Sequence, residues 1–214
     1  KSMAMGFQVG IHAIGDFGNR QALNIFDIAQ EGKPSALRNR IEHSQIIALE
    51  DIPRFAGLGV IASMQPIHAT SDMNMAEDRV GPERIKGGYA WRRLLDGGAV
   101  LASGSDFPVD LPNPFLGLYA AVTRQDRAGM PEGGWYIDQG LTRAEALHSF
   151  TLAAAYAARQ EDRLGSLEPG KWADFIIIDR DYFEIPASEI DDIRVLETWV
   201  SGERVYIAGE EAGP

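Results

Sequence analysis

Three side chains able to bind a metal stand at the C-terminal ends of three short strand-like runs. Asp106 closes Val100-Leu101-Ala102-Ser103-Gly104-Ser105-Asp106, His12 closes Val9-Gly10-Ile11-His12, and His43 follows Arg40-Ile41-Glu42. Two imidazoles and a carboxylate suit zinc and related divalent ions. Donors delivered by the C-terminal ends of separate strands are the pattern of a catalytic site at a barrel mouth. The chemistry open to such a set is hydrolysis. A bound cation brings the pKa of water toward neutrality and polarises a carbonyl. A carboxylate such as Asp106 can take the water proton and pass it to a departing nitrogen.

Other polar residues lie close by in sequence. Asp16 follows His12 and either orients it as an outer carboxylate or caps the helix after Gly15. His68 follows Gln65-Pro66 and is read either as a substrate or oxyanion contact or as a surface-loop histidine. Gln65 could position the same substrate group by hydrogen bonding. Glu42 alternates away from His43 in a strand and pairs with Arg40 instead. His148 sits among Leu147 and Phe150 in a helical pattern and is read as a packing residue.

The elements that must hold these residues alternate. Strands are expected at Phe7–His12, Arg40–His43, Gly59–Met64 and from Val100, with helices at 19–30, 49–57 and 88–95 between them. Strands that are apolar throughout, not alternating, fit a parallel sheet covered on both faces. The polar stretch 68–86 reads as an active-site loop or lid. After Asp106 come a proline-stiffened loop, a helix over 115–124 and a glycine-rich loop over 130–140, with Trp135 and Tyr136 as candidate pocket walls. Thr142 and Glu145 form a capping box for the next helix. From Leu164 the period changes to that of strands, and residues 195–207 read as a hairpin. The expected division is a barrel region over 1–163 and a β segment over 164–214.

The chain has 214 residues, 45% of them hydrophobic, enough for one sizeable core. A net charge of -11 disfavours nucleic acid and anionic membrane as partners. With no cysteine there is neither a disulfide nor a thiolate metal site. No apolar run nears the roughly 20 residues of a bilayer span, and no secretory leader opens the chain. A cytoplasmic location is the expectation. The glycine pairs 87–88 and 133–134 match neither a phosphate-binding loop nor a dinucleotide fingerprint.

Taken in order, His12-Ala13-Ile14-Gly15-Asp16, Arg40-Ile41-Glu42-His43, Gln65-Pro66, Gly104-Ser105-Asp106-Phe107-Pro108-Val109 and Leu164-Gly165-Ser166-Leu167-Glu168-Pro169-Gly170-Lys171 resemble the amidohydrolase superfamily. The resemblance is nearest to its N-substituted formamide deformylase and D-aminoacylase-like branch. It implies an α/β fold, a distorted (β/α)8 TIM barrel with a small β-sandwich. His12, His43 and Asp106 would end barrel strands five, six and eight. His12 and His43 would ligate one or two divalent ions, most simply zinc, and Asp106 would be both ligand and acid/base group.

The family's early His-x-His pair has no counterpart among the four histidines here. The chain is therefore expected to be the C-terminal part of such a barrel, about strands five to eight, inactive alone. Its partner would be a missing N-terminal half of the same chain, with a homo-oligomer as another way to cover exposed surface. The activity expected is metal-dependent hydrolysis of a linear, non-peptide amide or formamide, a small-molecule substrate. The alternatives are a hydrolase of cyclic amides or other bonds on the same scaffold, or a non-catalytic half-barrel that associates with another chain.

Overall fold

Four short strands form one parallel sheet. The computed structural model describes residues 1–210. Its first strands are β1 (Gly10–Ala13), β2 (Arg40–His43), β3 (Ile61–Met64) and β4 (Leu101–Ser103), hydrogen-bonded in that order. Register pairs Ala13 with His43, Glu42 with Ser63 and Met64 with Ser103. Ile41, Ile61, Ala62, Met64, Leu101 and Ala102 are all buried, because helices cover the sheet and leave few outward positions.

The helices follow from local signals. In α1 (Asp16–Gln30), Ala22, Leu23 and Phe26 recur at helical spacing and are buried. Burying a side chain such as Phe26 is worth roughly 1.5–3 kcal/mol. A 3-10 turn at Leu49–Asp51 leads into α2 (Ile52–Leu58), whose first turn accommodates Pro53 because no backbone N–H is needed there.

The segment 68–86, expected as a loop or lid, is mostly helical. Gln65 has extended backbone ahead of α3 (Pro66–Asp72), and Pro66 opens that helix. Glu77 and Asp78 then sit at the N-terminus of α4 (Ala76–Arg84), where carboxylates suit the helix dipole. The polarity of this stretch reflects the exposure of its helices and not an irregular backbone. The helix expected at 88–95 is α5 (Trp91–Asp96), with Trp91 and Leu94 buried.

Beyond β4, α6 (Pro114–Thr123) starts with Asn113 accepting from the Phe115 amide. The capping box of Thr142 and Glu145 opens α7 (Arg143–Phe150), and α8 (Leu152–Ala157) follows through a kink at Thr151. The chain ends in an antiparallel sheet of β5 (Phe175–Ile178), β6 (Val195–Val200) and β7 (Glu203–Ile207). Ser201 and Gly202, both at positive φ, make the β6–β7 turn. Phe175 stacks on its register partner Trp199, with ring centroids 5.5 Å apart. Tyr182, Ile190 and Ile193, between β5 and β6, are buried in the same core cluster as Phe55 and Trp91.

This order corrects the expected strand numbering. The barrel-like parallel sheet is the N-terminal part of the chain, strands one to four, and the small antiparallel sheet is C-terminal. Numbering the strands five to eight came from motif order in the resembling family, whereas strand order is set by backbone pairing. No helix among the described residues is long and apolar enough to cross a membrane.

Candidate active site

His12 is the third residue of β1, not its last, and is exposed, with Ala13 closing the strand. His43 ends β2 with φ +77°, so the strand stops abruptly there. Adjacent parallel strands bring the two imidazoles together edge to face, centroids 4.5 Å apart. Nδ1 of His43 lies 2.9 Å from Oε1 of Gln65, the residue between β3 and α3. Since the amide oxygen only accepts, Nδ1 carries the proton and the lone pair is on Nε2. That is the tautomer a metal ligand needs, held by an outer hydrogen bond.

His68 lies in the first turn of α3, 8% exposed, with its ring stacked on His43 at 5.9 Å between centroids. Its Nε2 lies 3.3 Å from Oδ2 of Asp110 without a well-aligned hydrogen bond. Burial holds the His68 pKa below its ordinary value, and the Asp110 charge opposes that shift. Burial likewise raises Asp110, while His68 opposes the rise.

Asp106 follows β4 in the left-handed region, φ +57°, and is exposed. Its carboxylate acts electrostatically on His68 and Asp110. The imidazole pair fits part of a divalent-metal shell by donor type and by the free lone pair on His43. The three-donor set expected from sequence is not drawn together: among the described residues no group of three or more His, Asp or Glu side chains is placed to hold a metal.

The remaining candidates divide. Gln65 is buried and serves His43. Asp16 opens α1, where its Oδ1 accepts from the Phe17 amide and lies 3.7 Å from Nη1 of Arg84, and no hydrogen bond joins it to His12. His148 is exposed on α7, not packed as expected. Glu42 pairs with Arg40 as expected. Trp135 is partly buried, packs edge-on against Tyr89, and its carbonyl accepts from Arg124 Nε.

Sequence reasoning missed two carboxylates. Asp110 reaches His68 because the Val109 amide donates to the Asp106 carbonyl at 2.8 Å and turns the loop back. The proline-stiffened spacing Asp106-Phe107-Pro108-Val109-Asp110 was the available signal. Asp72, at the end of α3, accepts from Tyr89 Oη at 2.6 Å and Gln45 Nε2 at 2.9 Å. Burial raises the Tyr89 pKa and keeps that hydroxyl a donor.

Comparison with known proteins adds context to this geometry. An amidohydrolase family profile matches residues 3–206. The LONG AFTER FAR-RED 3 protein of Arabidopsis thaliana is 36% identical over 203 residues, 94% of this chain and 34% of that protein. An N-substituted formamide deformylase of Arthrobacter pascens is 27% identical over 211 residues, 96% of this chain and 38% of the enzyme. A metal-dependent hydrolase structure from Pyrococcus horikoshii superposes with a TM-score of 0.75 at 34% identity, covering 86% of this chain and 36% of that one.

The chain thus spans between a third and two-fifths of the length of the curated relatives it matches. The matches also correct two expectations, a C-terminal portion only and a missing N-terminal half as partner. The family match instead runs along nearly the whole of this chain, 3–206 of 214.

Proposed function

The chain belongs to the amidohydrolase family, and from that premise we propose a metal-dependent hydrolase of linear amides or formamides. The observation that carries this reading is the edge-to-face pair of His12 and His43, with His43 held in one tautomer by Gln65. His12 and His43 would hold the cation, zinc or a similar ion, through imidazole nitrogens. When bound, the cation would supply Lewis-acid polarisation of the carbonyl and a lowered pKa for water.

The other groups supply orientation and proton transfer. Gln65 keeps the His43 proton on Nδ1 and its lone pair outward. Asp106 accepts a proton from the attacking water and returns it to the departing nitrogen as the C–N bond breaks, so the products are a carboxylic acid and an amine. His68, whose pKa burial lowers, offers a hydrogen-bonding ring beside His43.

Asp106→Asn tests the proton-transfer role directly. Turnover of N-alkylformamides by the full chain should fall by about 10²–10⁴-fold while zinc content stays at the wild-type level. Wild-type turnover in the variant removes Asp106 from the chemistry.

A further inference from the structure

A small cavity of 170 Å³ opens beside the strand-end loops. Its walls include Ile67, Ser105, Leu111, Pro114, Gly117 and Phe150. The first three are the sequence neighbours of His68, Asp106 and Asp110, so the same segments that carry the candidate chemistry line the cavity. No charged side chain among the described residues faces into it. A charged substituent entering there would lose hydration without a partner, and an apolar one would not.

The far wall is Phe150, at the end of α7. Its ring lies directly over Gly117 of α6, where an added Cβ would fall 2.5 Å from Phe150 Cζ. The glycine is what lets the ring lie against that helix. Behind Phe150 and Pro114 lies a larger groove of 710 Å³, walled by Leu118, Leu147, Ile176 and Ile178. Phe150 and Pro114 line both spaces and form the partition between them. The smaller space has room for about five water-sized groups.

We propose that this cavity is the subsite for an uncharged apolar substituent of the substrate, and that Phe150 sets the length it accepts. The inference rests on reading the neighbouring site as an amide hydrolase. Short alkyl groups fill the cavity. Longer ones meet the Phe150 ring and can extend only where that ring is cut back, into the groove behind it.

The test uses the full chain, Phe150→Ala and the milder Phe150→Leu, with two readouts. The first is kcat/KM over N-alkylformamides and N-methylalkanamides from two to eight carbons. In one series the octyl-to-butyl ratio should rise about tenfold or more in Phe150→Ala, and less in Phe150→Leu. The series that responds identifies the side of the amide that enters the subsite. The second readout is binding of butan-1-ol and octan-1-ol, followed by NMR at the Gly104 and Gly117 amides. Preference should pass from butanol to octanol in the variants. Alcohol preference that switches while no amide is hydrolysed supports the subsite and overturns the hydrolase reading. Amide hydrolysis with unchanged length profiles and unchanged alcohol preference in both variants overturns the subsite.

Discussion

Nδ1 of His43 and Oε1 of Gln65 lie 2.9 Å apart, which joins the end of one strand to the start of the helix after the next. The contact decides which imidazole nitrogen carries the proton, and hence which is free to bind a cation. Gln65→Leu removes the acceptor and keeps the side chain's bulk. Zinc affinity, measured by competition with a chromophoric chelator, should fall about 10–100-fold. Affinity equal to wild type would mean that the tautomer is held by something else.

Glu145 is held well below the usual carboxylate range, at about 2, chiefly by the Arg92 guanidinium. Its carboxylate also closes the capping box on the Thr142 amide at 2.8 Å. Because the folded-state value is depressed, the stability Glu145 contributes is present above its unfolded value, near 4.5, and is lost as pH falls toward about 2. The group is partly exposed, so its ion pair is worth only about 1 kcal/mol after solvent screening. Glu145→Gln, which can still close the capping box, should cost up to about 1 kcal/mol at pH 7 in denaturant unfolding, with the gap to wild type closing at low pH. A gap that persists undiminished below pH 2 would show the loss to be independent of charge.

Two glycines should respond oppositely to alanine. At Gly87 a Cβ would stand 1.7 Å from the Ile47 carbonyl oxygen, backbone that cannot swing aside. The Gly87 carbonyl also accepts from the Ile47 amide at 2.9 Å, so the two chains are locked together. At Gly57, inside α2, nothing lies within 4 Å. Gly87→Ala should destabilise by about 3 kcal/mol or more, and Gly57→Ala should stabilise by up to about 1 kcal/mol. Thermal unfolding of the pair checks both signs, and a neutral Gly87→Ala would contradict the close approach.

The sequence made some of this visible and hid the rest for physical reasons. Apolar runs located β3 and β4, because burial on both faces leaves no alternation to misread, whereas β2 carries Arg40, Glu42 and His43 around a single buried Ile41. The Thr142–Glu145 box and the Ser201-Gly202 turn were legible because each is a local hydrogen-bonding device. His43 and His12 could be singled out by type and strand position. Their 4.5 Å approach could not, since it depends on register across the sheet. The helices of 66–84 were hidden by polar composition, which records solvent exposure and not backbone conformation. Asp110 and Asp72 reach the His68 region only through a turn and a helix end. Strand numbers borrowed from motif order failed because they were never derived from pairing.

Metal content of the purified full chain bears most directly on the proposal that His12 and His43 together hold a divalent ion. Grown with zinc supplied, the wild-type protein should retain about one or two zinc ions per chain by elemental analysis, and the His12→Ala/His43→Ala double variant should lose them while keeping its circular dichroism. Equal zinc in both proteins, or none in either, would contradict the assignment of these two imidazoles as ligands.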